Sequence, residues 1–375
     1  MSILFAFALL TSEAAPESGP PSFYESLRAA DRRLASIGHR LATANAPLCD
    51  RLQPAGGIVV HALAQYGGGE REKVRRAFGF EEPVTVEAVT PGGPAEIAGV
   101  RADDALVAVN GKAVQEGGTG TADRDRALDL MEAGAPTAPV TLTLRRGRVD
   151  RTVAVPAVPA CRARFELLLG RGAYAGADGR VVKLGERFFE RYSDEEIAVV
   201  VAHELAHVIL RHADRLDAAG VDRGLLKEFG RSGRLFRRTE READELGVHL
   251  LANAGYDPMA SARFWRTRGG EIDHGVLRSR THDSSRERAE TAEAVARSLA
   301  GRALPVRPDA LLSTRDQPLS RSSTGAAPIP RQTEPVSASA AGARLRPECL
   351  RRTVALDRAI IATSEARVRR PGTQH

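Results

Sequence analysis

One apolar segment limits what this chain can fold into. From Ile197 to Leu210 every position other than His203, Glu204 and His207 is aliphatic or alanine, which predicts a helix buried almost all round. Ser193 before it, with Glu196 three residues on, has the form of a capping box that fixes the helix start. The three polar exceptions read His203-Glu204-Leu205-Ala206-His207. Two histidines four positions apart stand about 40° apart on a helix, one turn above the other, so both imidazoles reach a single ion. Burying two imidazoles and a carboxylate without partners costs several kcal/mol, and one zinc ion per chain satisfies them. Glu204 then sits beside the metal without ligating it, placed to take a proton from metal-activated water.

The third ligand comes from elsewhere. A metzincin pattern needs histidine at 213 and glycine at 210, and Ala213 and Leu210 exclude it. On a helix expected to run from Asp194 to about His212, His212 lies about 180° from His203 and is expected at the surface or behind the ligands. Glu240 and Asp244 stand four apart on one face of a second expected helix, Thr239 to Asn253. Glu240 can ligate while Asp244 accepts the distal N–H of a ligand histidine. Glu242, about 200° from Glu240, is expected to point away.

HExxH followed by ExxAD resembles the gluzincin metallopeptidases of the M48 group, which includes bacterial periplasmic quality-control proteases and the CAAX prenyl endopeptidases. Thr281-His282-Asp283-Ser284-Ser285-Arg286-Glu287-Arg288 is similar to that group's THPxxxxR segment, with Asp283 in place of proline. The resemblance spans about Phe165 to Ala300. It implies that His282 stabilises the oxyanion, that Arg288 supports the site, and that Arg180 to Leu184 is an edge strand pairing with extended substrate.

Upstream the pattern changes. Residues 22–45 carry Leu27, Leu34, Ile37 and Leu41 at helical spacing, and residues 56–159 hold short β-branched runs separated by Gly and Pro. Pro91-Gly92-Gly93-Pro94-Ala95-Glu96-Ile97-Ala98-Gly99-Val100, with Asp104 to Gly111 behind it, resembles a PDZ domain of the kind found in periplasmic proteases. That resemblance implies a carboxylate-binding loop at Phe78, Gly79 and Phe80, although Glu81 and Glu82 follow it and repel a carboxylate.

The fold expected is therefore α+β: a helical segment over 22–55, a PDZ-like domain over 56–159, a mostly helical peptidase domain over 160–301 with a short edge strand, and a mostly disordered, low-complexity basic tail over 302–375. The net charge of +6 belongs to the tail, where thirteen arginines face six acidic residues, so the body is near neutral and nucleic acid is not an expected partner. An apolar run from Ile3 to Leu10 before Ser12-Glu13-Ala14 reads as an export signal over 1–14, and it is too short to span a bilayer. A periplasmic or secreted location is expected, or a cytoplasmic one if the run is not a signal. Cys49 and Cys161 flank the PDZ-like domain and can pair in an oxidising compartment. The function expected is zinc-dependent cleavage of unfolded or misfolded exported polypeptides, with a chaperone or scaffold for such chains as the alternative.

Overall fold

A computed structural model describes residues 22–114, 117–221, 230–273 and 283–319. The expected signal, His282 and most of the basic tail lie outside these residues. Ser22 and Glu25 cap each other's backbone and open α1 (Phe23–Ala44), the amphipathic helix that the sequence predicts. Its stripe of Leu34, Ile37 and Leu41 enters the main core.

The chain then forms β1 (Leu52–Ala55), β2 (Ile58–Ala62), α2 (Arg71–Phe78), β3 (Val84–Val89), α3 (Pro94–Ile97), β4 (Ala105–Val109), β5 (Lys112–Ala113), α4 (Ala122–Glu132), β6 (Val140–Arg146) and β7 (Val149–Val155). The five apolar runs of the sequence fall on β2, β3, β4, β6 and β7, which line up in that order as one antiparallel sheet. Val60, Val86, Leu106, Leu142 and Leu144 fill its core. Asp103 takes the left-handed turn conformation, φ 68°, in the place where glycine usually stands. Strand β2 is an end strand of the sheet, with α4 packed beside it.

Strand β8 (Val158–Cys161) returns antiparallel to β1, and Cys49 is bonded to Cys161 with Cα atoms 5.4 Å apart. A three-stranded sheet follows, made of β9 (Arg164–Leu168), β10 (Ala175–Asp178) and β11 (Val181–Gly185). Here the structure corrects the sequence reading, because β11 is the central strand, antiparallel to β10 and parallel to β9. Gly179, at φ 67°, turns the chain back so that β10 covers the edge of β11. The outer strand lying against the metal helix is β10.

The remainder is helical: α5 (Arg187–Arg191), α6 (Asp194–Ile209), α7 (His212–Ala218), α8 (Gly230–Asn253), α9 (Ala260–Asp273), α10 (Ser285–Ser298) and α11 (Asp309–Leu312). Helix α6 runs through the core against α8. No described helix is long and apolar enough to cross a membrane. A second correction concerns the tail, whose first part, 302–319, is packed rather than loose. Val306, Leu311, Leu312 and Leu319 are buried, Asn253 exchanges two hydrogen bonds with the Val306 backbone, and Arg315 donates to the Leu48 carbonyl at 3.1 Å. Pro305 and Pro308 interrupt the regular apolar spacing that would have marked this stretch.

Candidate metal centre

The capping box that starts α6 is present. Ser193 N–H donates to Glu196 Oε2 at 2.8 Å, and Glu196 N–H donates to Ser193 Oγ at 3.3 Å. Three turns on, His203 and His207 share one face and Glu240 reaches them from α8. One ligand atom from each of the three lies within 4.8 Å of the others. The two Nε2 atoms are 3.1 Å apart, and Glu240 Oε2 is 3.2 Å from that of His203. Gly247 of α8 faces the His203 backbone at this level, where a Cβ would stand 3.5 Å from it, in ordinary contact.

The hydrogen-bond network assigns the protons. His203 Nδ1–H donates to Asp244 Oδ1 at 3.0 Å. Arg288 holds Asp244 with two bonds of 2.7 and 2.5 Å, while its guanidinium lies 3.5 Å over the Trp265 ring. Burial disfavours charge on Asp244, but Arg288 and the His203 bond overcome it and hold the carboxyl down at about 2. This is the role that sequence reasoning gave to Asp244 and Arg288.

His207 is held by a relay that sequence reasoning missed. Its Nδ1 is 2.9 Å from Nδ1 of His212, whose Nε2 is 3.1 Å from Glu242 Oε2. Glu242 in turn accepts from Arg215 at 2.7 Å and Arg238 at 2.8 Å. Burial, opposed by the Glu242 bond, keeps His212 neutral by holding its pKa down at about 4. A neutral His212 that donates from Nε2 to a carboxylate must accept at Nδ1, so His207 donates from its Nδ1. His212 stands behind the ligands, one of the two places expected for it, but what brings it there is the end of the helix rather than its continuation. The α6 helix ends at Ile209 and Arg211 adopts φ 53°, which swings His212 back beneath His207 instead of carrying it round the helix. Glu242 points away from the ion but into the protein, onto His212.

Both ligand imidazoles therefore keep their Nδ1 protons and turn Nε2 toward one another and Glu240, so that a metal ion would take the place of a proton between them. Such a set calls for a cation. Burial opposes charge on His203, yet Asp244 and Glu240 outweigh it and hold its pKa up at about 10, so the pocket stabilises positive charge at this nitrogen. Two imidazoles and one carboxylate are the donors that zinc takes in catalytic sites. Glu204 is buried beside them. Asp283, in the place of the expected proline, grips Arg241 of α8 at 2.5 and 2.8 Å, which ties the chain next to position 282 to the helix carrying Glu240.

At Phe78, Gly79 and Phe80, expected to form a carboxylate-binding loop, the structure places a helix end whose N–H groups are already bonded. Gly79, at φ 61°, ends α2, and the N–H groups of Gly79 and Phe80 both donate to the Arg75 carbonyl. The two phenyl rings are buried against His61, Tyr24 and Tyr66.

Comparison with known proteins agrees with this division. Residues 85–146 match a family described as "PDZ domain", and residues 146–239 match one described as "Putative metallopeptidase domain", which ends just before Glu240. The chain is 29% identical over 121 residues to the mitochondrial metalloendopeptidase OMA1 of Schizosaccharomyces pombe, covering 27% of this chain and 36% of that one. It is 32% identical over 120 residues to the OMA1 of Arabidopsis thaliana, covering 26% and 24%. The chain thus spans between a quarter and about a third of the length of these relatives. A crystal structure of the HtrA3 PDZ domain bound to a phage-derived ligand matches at 17% identity and a TM-score of 0.22, over 29% of this chain and 89% of that one. The two family models and the OMA1 relatives agree on a PDZ-type region followed by a metallopeptidase-type region that is similar to OMA1.

Proposed function

We propose that this chain is a zinc-dependent endopeptidase that cleaves unfolded or misfolded exported polypeptides. The observation that carries the reading is the convergence of His203, His207 and Glu240 with both histidine Nε2 atoms turned inward. Zinc bound there supplies a Lewis acid that polarises the scissile carbonyl and acidifies water. Glu204 takes the proton from the attacking water and returns it to the leaving amine nitrogen. His282 holds the developing oxyanion, a role that rests on the THPxxxxR resemblance. Asp244 and His212 keep the two ligand rings in one tautomer and one orientation.

Substrate lies extended along the outer strand β10, where backbone pairing gives affinity without sequence selectivity. The outer edge of β2, which pairs with no other strand among the described residues and is flanked by α4, offers the PDZ-type half a second place for an extended segment. The Cys49–Cys161 bond supports a location outside the reducing cytosol. Metal analysis of the purified protein with a casein digestion tests the reading. One zinc per chain and cleavage that stops with chelator and returns with zinc are expected, and metal-free protein with full activity would overturn it.

A further inference from the structure

The region behind β2 holds a cavity of about 410 Å³ that the peptidase mechanism does not use. Its walls are apolar where Leu27 of α1, Ile58 of β2, Leu128 and Met131 of α4 and Phe165 of β9 meet. Helix α1 runs close over β9 here, since a Cβ at Gly38 would stand 2.5 Å from the Phe165 ring. Two carboxyl groups, Asp31 of α1 and Glu87 of β3, line the cavity and hydrogen-bond to each other. Glu87 is only 4% exposed, and its Oε1 has no hydrogen-bond partner among the described residues. The same holds for Oγ1 of Thr90, which is also buried in the cavity wall.

The neighbouring arginines act on the pair through space but make their hydrogen bonds to other carboxylates. Arg124 binds Asp125 and Glu166, each at 2.7 Å. Arg164 binds Glu132 at 2.8 Å and Asp129 at 2.6 Å, and Arg28 binds Asp103 at 2.5 Å. His61 stands 3.7 Å from Glu87, but burial, aided by Arg28, keeps it neutral with its pKa down at about 3. Two facing carboxyls, one of them buried with an oxygen that has no hydrogen-bond partner among the described residues, can take up a further cation, and an apolar-walled cavity with convergent acids suits an alkyl stem ending in positive charge.

We propose that this cavity binds an alkyl chain ending in a cation, with the ammonium or guanidinium between Asp31 and Glu87 and the stem against Leu128, Met131 and Phe165. Two sources share that chemistry. One is the lysine or arginine side chain of a peptide laid along β2, which rests on the peptide-binding reading above, and the other is a small free amine.

The test is titration calorimetry on the full chain carrying Glu204→Gln, so that peptides stay intact. The probes are pentylammonium, a blocked Ala-Ala-Lys-Ala-Ala peptide and its norleucine twin. Pentylammonium is expected to bind and the norleucine peptide is not. Asp31→Asn and Glu87→Gln are each expected to weaken binding at least ~10-fold. Both variants should melt no lower than the parent, which shows that the loss is not unfolding. Binding of the lysine peptide as well assigns the site to substrate, whereas pentylammonium alone keeps the cation site and removes its peptide source. No binding of either cation at millimolar concentration, or binding unchanged in both variants, overturns the proposal.

Discussion

Nδ1 of His212 lies 2.9 Å from Nδ1 of His207, so a histidine outside the HExxH motif fixes the tautomer of a metal ligand inside it. His212→Phe keeps the volume and removes the acceptor. Zinc affinity, measured by competition with a chromophoric chelator, should fall about 10- to 100-fold while the far-ultraviolet circular dichroism spectrum stays the same. Unchanged affinity would show that the relay does not hold the ligand.

The second relay makes a stability prediction. Asp244 and Arg288 are both buried, 6% exposed for Arg288 and 7% for Asp244. Arg288→Met leaves the carboxylate without its main partner, and denaturant unfolding should show a loss of about 3–5 kcal/mol. Adding Asp244→Asn removes the stranded charge, so the double variant should recover part of that loss. If the double variant is as unstable as the sum of the two single changes, the residues are not coupled.

The Cys49–Cys161 bond joins residues 112 apart in the chain, with the whole PDZ-type region between them. Replacing both cysteines with alanine should lower stability by about 2–5 kcal/mol, because the unfolded chain regains a long loop's freedom. Thermal melts with and without reductant check this, since the reductant should destabilise the parent and leave the variant unaffected.

Asp31 and Glu87 predict a pH dependence of stability. Burial, and at Asp31 the facing Glu87, raise both carboxyls in the folded state, with Arg28 and Arg124 opposing and Glu166 reinforcing at Asp31. His61 and Tyr66 nearby stay neutral, burial lowering the one and raising the other. The folded protein then keeps protons that the unfolded chain releases, so stability falls as pH rises from the ordinary glutamate value of 4.5 toward neutrality. Glu87→Gln should flatten that slope and raise the melting temperature at neutral pH. A slope identical to the parent's would remove the pair as its source.

Much of this was legible in local pattern. The Ser193–Glu196 box, the aliphatic face of α6 and the four-residue spacings of His203 with His207 and of Glu240 with Asp244 are decided within one helix, where about 100° per residue fixes direction. What failed depended on where helices stop. Arg211 enters the left-handed region without being glycine or asparagine, so nothing in Leu210-Arg211-His212 announced that His212 would turn under His207. Gly79 misled in the opposite way, since Ala77-Phe78-Gly79-Phe80 suits both a carboxylate loop and a helix ending in a left-handed glycine. The central place of β11 depended on a hairpin partner of Ala, Gly and Asp that has no strand signature. The cavity at Asp31 and Glu87 joins residues from segments that only the tertiary fold brings together.

The central claim is that His203, His207 and Glu240 hold zinc while Glu204 moves the proton. Glu204→Gln separates the two roles most directly. The purified variant should retain one zinc per chain by elemental analysis and melt as the parent does, with casein cleavage reduced to background. Cleavage at the parent's rate by the zinc-loaded variant would contradict the account.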